Sequence, residues 1–485
     1  MVRGQQGCID RNNQKGKQGR AKVTYDVWGS AVSATRLPKL LNASQYIDIK
    51  NEAVLNNKIL SGNASNDKVA SALFFPQYDA NGKLVETNWY DHVYNTGYSH
   101  NHSLAVSGAN ANTQYYFSGN YSDQEGFFAK NSFDRKGLRF NIEHKVNDWF
   151  SLGSNLTYNN TFNDAKNSGS LPSSQLLLIG GARLALVLPP NVSAYKDDGS
   201  YNLSSTGLLG PGANLFTNTL YNPEALFANS KYTTGNDHIL GNLHASLNLL
   251  KNLKFTTTYA VDRNLSTTKT YLSPNLGSSG YTNGGSVTNV SSLRNNWNFT
   301  NSLSYDQVFA EKHALTLLVG YDIQKYDNDS WNASQNNASD PFFENFQGNW
   351  TTLSGAGGSV TERFYRSTFV RATYNYNKRY FLTANFRRDG NSALGANSKY
   401  GDFGGVSLGW SVFEEDFYKN SSLANLLGDL RFRGAGVRSA MEIFRLMNHS
   451  ISIAHRSMEQ CLPGACRRRV IRIWAGRLPN RLIWG

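Results

Sequence analysis

The chain has 485 residues, of which 17% are charged, and it is rich in Tyr (26), Phe (26) and Gly (43). No apolar run approaches the ~18 residues that a transmembrane helix needs, which excludes a helical membrane span. The net charge of +13 sits at the ends: residues 1–20 carry +4, residues 434–485 carry +7, and 21–433 only +2, which excludes a nucleic-acid binder with a basic folded body.

Cysteine and methionine divide the chain in the same way. Cys8, Cys461 and Cys466, and all four Met, lie within those two ends. A Cys-free body fits an exported protein without a disulfide framework. The polar residues after Met1 give no signal peptide to expect.

In chain order, the first strand is expected over 21–29. A helical stretch follows over 37–60, with Leu40, Leu41, Tyr46, Ile47, Ile49 and Leu55 near helical spacing, inside a polar connection ending near Tyr98. Strands then come in pairs: 101–108 with 113–121, 137–145 with 151–159, 239–248 with 253–261, 295–305 with 314–325, and 368–376 with 379–387. Segments 400–412 and 429–433 complete about thirteen strands. Side chains two apart share a face. Leu138, Phe140 and Ile142 thus oppose Arg139, Asn141 and Glu143, and Val370, Ala372 and Tyr374 oppose Arg371, Thr373 and Asn375.

The connections alternate as well. Short turns fall near 109, 147, 250, 310 and 377, and long Asn/Ser/Gly-rich loops at 30–99, 122–135, 163–236, 264–293, 327–361 and 388–399. Short turns on one rim and long loops on the other, joining strands of about ten residues, form the pattern of an outer-membrane β-barrel. A soluble β-sandwich does not sort its loops by parity. The expected fold is all-β: a partial transmembrane antiparallel β-barrel with short periplasmic turns and long extracellular loops. Trp149, Phe150, Tyr305, Tyr376 and Tyr380, at strand ends, are expected in interfacial girdles.

Residues 100–158, 380–417 (YFLTANFRRDGNSALGANSKYGDFGGVSLGWSVFEEDF), 41–53 (LNASQYIDIKNEA) and 15–27 (KGKQGRAKVTYDV) resemble the SusC/RagA family of TonB-linked outer-membrane proteins. The resemblance covers 21–433. It implies a barrel of about 22 strands, of which this chain holds somewhat more than half. It further implies an internal plug, energy from the TonB complex, a SusD-like surface lipoprotein as lid, and a glycan or peptide ligand, all at the outer membrane.

The ends depart from that family. Residues 7–14 stand where the family's plug closes with an apolar strand, and the likeness stops near Arg433. The expected division is 1–20, the end of a plug domain partly out of frame; 21–433, the partial barrel; and 434–485, a frame-shifted tail. On that reading the chain is a truncated, non-functional copy. A passive porin or adhesin-type barrel without energy coupling is the alternative.

No catalytic or metal constellation emerges, so neither enzyme activity nor a cofactor is expected. Cys461 and Cys466 with His449 and His455 have too wide a spacing, in a single pair, for a zinc site. Residues 355–358 lack the Lys-Ser/Thr of a phosphate loop. Glu414 and Glu415 are adjacent and would face opposite ways on a strand. The run 467–469 with Ile471, Ile473 and Trp474 is read as a frame artefact rather than a nucleic-acid or lipid patch. What remains is a binding surface: Arg371, Asn375, Asn385 and Arg387 on the lumen or plug side, and Trp331 and Trp350 as loop residues able to stack on sugar rings.

Overall fold

The computed structural model describes residues 19–61, 73–166, 180–215, 220–277, 284–421 and 429–438. Within them, thirteen strands form one sheet in strict chain order, each antiparallel to its neighbours. They are β1 (Gly19–Val32), β2 (Gly97–Ala109), β3 (Thr113–Glu125), β4 (Ser132–Lys145), β5 (Phe150–Asp164), β6 (Ser230–Leu250) and β7 (Leu253–Leu272). β8 (Ser286–Phe309), β9 (His313–Ala338), β10 (Trp350–Tyr376), β11 (Tyr380–Asn391), β12 (Tyr400–Ser411) and β13 (Arg431–Arg438) follow. The expectations placed on Cys8, Cys461, Cys466, His449, His455 and residues 467–469 fall outside the described residues.

The short turns close for local reasons. Asn377 and Lys378, between β10 and β11, both have positive φ (50° and 58°), as a two-residue hairpin with the strand twist requires. Asn110 Oδ1 accepts the N–H groups of Asn112 and Thr113, and Asn147 Oδ1 those of Trp149 and Phe150. The helix α1 (Ala43–Ser61) starts later than expected, because Asn42 and Gln45 exchange side-chain-to-backbone bonds across its first turn, a reciprocal cap.

Two expectations need correcting. The loops placed at 264–293 and 327–361 shrink to 273–285 and 339–349, because β7 to β10 run on beyond their alternating parts. Beyond the lipid both faces are wet, so no alternation is demanded there. Hydroxyl pairs such as Thr288–Ser334 (2.8 Å) and Ser330–Ser359 (2.9 Å) link the strands instead. In addition, the β12–β13 connection spans 412–430 on the short-turn rim and carries a helical turn, α4 (Asp416–Lys419).

The two faces of the sheet differ sharply. Along β10, Val370 lies opposite Val319 and Phe386, Ala372 opposite Leu317 and Ala384, and Tyr374 opposite Leu315 and Leu382. Many of the apolar side chains on this face are about half exposed, from Val370 at 39% to Leu408, opposite Leu382, at 62%. An apolar band this continuous is a lipid-facing surface. At its short-turn end the rings of Tyr376, Tyr380, Trp410 and Phe432 succeed one another at 6.0–6.4 Å, an interfacial girdle. Ala372→Arg is therefore expected to cost about 2–4 kcal/mol, with Thr373→Arg on the other face close to neutral, as read by urea unfolding in bilayers of the barrel closed by added strands.

Candidate functional site

The face opposite the lipid band is polar and continuous. Arg371 sits directly opposite Asn385, and Thr373 opposite Thr383. Arg387 lies opposite Phe369, with its guanidinium 5.8 Å from the ring centroid, and donates to Asp389 Oδ1 (2.6 Å) and Ser367 Oγ (2.9 Å). The Phe369 ring fits there because residue 320 is glycine: a Cβ at Gly320 would fall 2.0 Å from Phe369 Cζ. Asn375 shares this face, but its Oδ1 accepts the Lys378 N–H (2.8 Å), so it also braces the turn. The sheet thus brings Arg371, Asn385 and Arg387 onto one wall, with Asn375 at its short-turn end.

The same wall continues across β4 to β9, where Glu143 takes the polar face that alternation gave it. Glu143 and His244 meet at 3.1 Å across the intervening strand, where Gly153 leaves the gap; a Cβ there would lie 2.4 Å from Glu143 Oε2. His238 Nε2 contacts Asp262 Oδ1 (2.7 Å), and Asp262 is 3.8 Å from Arg294. The buried Asp322 accepts from Thr300 Oγ1 (2.6 Å) and Gln324 Nε2 (2.7 Å). This is a ladder of fixed donors and acceptors of mixed charge, suited to hydrogen-bonding a plug or a polar solute. Among the described residues, no group of three or more His, Cys, Asp and Glu could hold a metal.

The two tryptophans lie in strands rather than loops. Trp331 is in β9, opposite Ser291 and Gly358, on the outward-facing side and 49% exposed. Trp350 opens β10. It is 5% exposed, packs edge-on against Tyr271 (6.2 Å, 78°), and donates from Nε1 to Asn345 O (2.9 Å).

On the long-loop rim, segments far apart in sequence build a small core of their own. Trp89 and Val93 from the β1–β2 connection pack with Phe128, with Leu184, Leu188 and Val192 in and after α2 (Gly181–Val187), with Tyr221 and Phe227 around α3 (Pro223–Ala228), and with Leu276. Asn222 caps α3 and holds Ala194 O (2.7 Å), so a buried amide links two loop segments. At its surface His92 Nδ1 lies 2.9 Å from Glu224 Oε1, beside the tilted Tyr195–Tyr201 pair (5.7 Å). Burial and the nearby Glu224 carboxylate push the Tyr195 hydroxyl pKa upward.

The opposite rim is tied by one carboxylate. Glu415, placed by the turn before α4, accepts from Tyr380 OH (2.7 Å), Trp410 Nε1 (3.1 Å) and Arg379 Nη1 (2.8 Å), while Arg379 also reaches Asp416 (3.2 Å). Adjacency with Glu414 had suggested strand geometry, which this helical turn replaces. The Tyr380 and Trp410 bonds, with Arg379, hold the Glu415 carboxyl below the usual carboxylate range. A depressed native pKa stabilises the fold above the unfolded value and loses that contribution as pH falls through the native one. Glu415→Gln is expected to flatten the acid limb of the stability–pH curve below that range, as followed by near-UV circular dichroism.

No protein-family model matches the chain. It is 28% identical over 343 residues to TonB-dependent receptor P3 of Formosa agariphila, covering 70% of this chain and 33% of that protein. It is 23% identical over 458 residues to TonB-dependent receptor SusC of Bacteroides thetaiotaomicron, covering 91% and 42%. The RagAB peptide importer in its open-open state superposes with a TM-score of 0.62 at 21% identity, over 87% of this chain and 47% of that one. The chain spans about a third to two-fifths of the length of the curated relatives it matches. It is SusC/RagA-like over most of its length, and the outer membrane is its compartment.

Proposed function

We propose that this SusC/RagA-like chain forms part of the wall of a TonB-dependent outer-membrane importer for glycans or peptides. The observation that carries this reading is the single thirteen-stranded sheet, with a half-exposed apolar band on one face and a hydrogen-bonding ladder on the other. Relatives named as TonB-dependent receptors support it, and none of them is named as an enzyme. The polar wall with Arg371, Asn385 and Arg387 lines the conduit or holds the plug. The loop core around Trp89 and Tyr221 shapes the outer mouth on which a SusD-like lipoprotein lid closes. Trp331 offers an exposed ring for a sugar or an apolar side chain. TonB engages segments outside the described sheet, and 21–433 is the receptor-barrel portion, with β13 running on to Arg438.

Uptake of fluorescent oligosaccharides and oligopeptides by cells in which this chain is completed with the plug and remaining strands of a relative, with and without a working TonB complex, tests this reading. Uptake lost without TonB is expected. Equal uptake in both backgrounds would favour a passive barrel, and no uptake of either solute class would sink the importer reading.

A further inference from the structure

β10 outruns its neighbour. It pairs with β9 from Trp350 to Tyr376 but with β11 only from Tyr365, opposite Asn391. Toward the long-loop rim no described strand lies on its other side, and residues 351–364 are exposed. The direction of the free backbone groups follows from one residue. Ser392 N–H donates to Phe364 O (2.9 Å), and Phe364 N–H donates to Ser392 Oγ (2.8 Å). Both groups of Phe364 therefore point to the β11 side, and in an antiparallel ladder residues two apart point the same way. Glu362, Val360, Gly358 and Ala356 thus aim N–H and C=O away from β9, where no described residue accepts or donates. The odd residues 357, 359 and 361 serve β9. A register shift between Leu353 and Gly355 ends the run.

Exposed edges are usually blunted by Pro, Lys or a covering element. Residues 351–361 contain no Pro and no charged side chain. A Cβ added at Gly355 or Gly357 would meet nothing within 4 Å, so these glycines serve no close approach to the described residues. They leave a flat, uncluttered edge. Val360 (71% exposed) and the Glu362 carboxylate flank it on one face, the latter 3.4 Å from Lys325 Nζ.

We propose that the edge of β10 from Ala356 to Glu362 binds an extended polypeptide segment of another molecule by strand addition, with a Lys or Arg of that segment beside Glu362. Backbone bonds supply the affinity, and alternate side chains supply selectivity. A second copy of this chain does not fit. Two barrels in one membrane share orientation, and strands tilted by about 35–45° would cross at roughly 70–90° where the edges met, too steep for a ladder. The proposal does not depend on what, if anything, the barrel imports.

The test is residue-resolved amide exchange in bilayer discs on the full chain with its barrel closed by added strands, with the probe peptide Lys-Thr-Val-Thr-Val-Thr-Val and a twin N-methylated at its valines. The probe is expected to slow exchange at Ala356, Gly358, Val360 and Glu362 by about tenfold or more, with little change at Gly357, Ser359 and Thr361. The twin should not protect them. Val360→Pro, which removes one edge donor and spares the β9 ladder, should abolish the protection, and Glu362→Lys should weaken it. Three results would overturn the proposal: no protection by the probe, equal protection by the twin, or even-numbered amides already protected without probe, which would mean that this chain covers its own edge.

Discussion

Placed in a bilayer as residues 19–438 without further strands, the sheet is expected not to persist as an inserted monomer. Among the described residues β1 bonds only to β2 and β13 only to β12, which leaves two open edges. With every neighbour antiparallel, β1 and β13 run in the same direction, so antiparallel closure takes an odd number of added strands. In hydrocarbon each unpaired backbone group costs several kcal/mol, and the two edges together expose on the order of ten such groups, a penalty of tens of kcal/mol. The polypeptide should aggregate or be degraded, as followed by heat-modifiable mobility in outer-membrane fractions. A stable, heat-modifiable monomer would instead require β1 and β13 to pair in parallel, and cross-linking between the two strands would reveal it.

The second large effect belongs to the loop core. Trp89 is 1% exposed, donates from Nε1 to Pro189 O (3.0 Å), and packs within the cluster that joins the β1–β2 and β5–β6 connections. Trp89→Ala removes a buried ring and orphans that carbonyl, which should cost about 3–5 kcal/mol of local stability. The strands draw little on this core. Limited proteolysis should therefore nick residues 180–229 rapidly while strand content by circular dichroism stays at the wild-type level. Unchanged proteolysis would mean that the loops are held independently, and loss of strand content would mean that the rim core supports the barrel.

The parts of the sequence that could be read were those where two solvents meet. Lipid on one side and a wet lumen on the other force alternation, so the pairing of Val370, Ala372 and Tyr374 against Arg371, Thr373 and Asn375 is legible in the sequence. Loop parity was visible for the same reason. The far ends of β7 to β10 were not, because with water on both faces Thr, Ser and Asn pair through the backbone and through hydroxyls. Trp331 and Trp350 were placed in loops on that account. The loop core was hidden because its members come from four separated connections, none amphipathic by itself. One local signal was available: Asn222-Pro223-Glu224 is a helix start, with the cap, the N1 proline and the first-turn acid in order. Glu415 escaped notice because adjacency with Glu414 implies strand geometry, whereas 412–414 and 416–419 turn helically on either side of an extended Glu415 and bury it beside Arg379.

The central claim is that the even residues of β10 meet lipid and the odd residues meet water. After Cys8, Cys461 and Cys466 are replaced by Ser, single cysteines introduced from 368 to 376 can be probed in bilayers, in the barrel closed by added strands, with a water-soluble maleimide and a lipid-phase quencher. Quenching at 370, 372 and 374 and maleimide labelling at 371, 373 and 375, with a period of two, is the predicted result. Uniform labelling along the strand, or quenching on both faces, would contradict it.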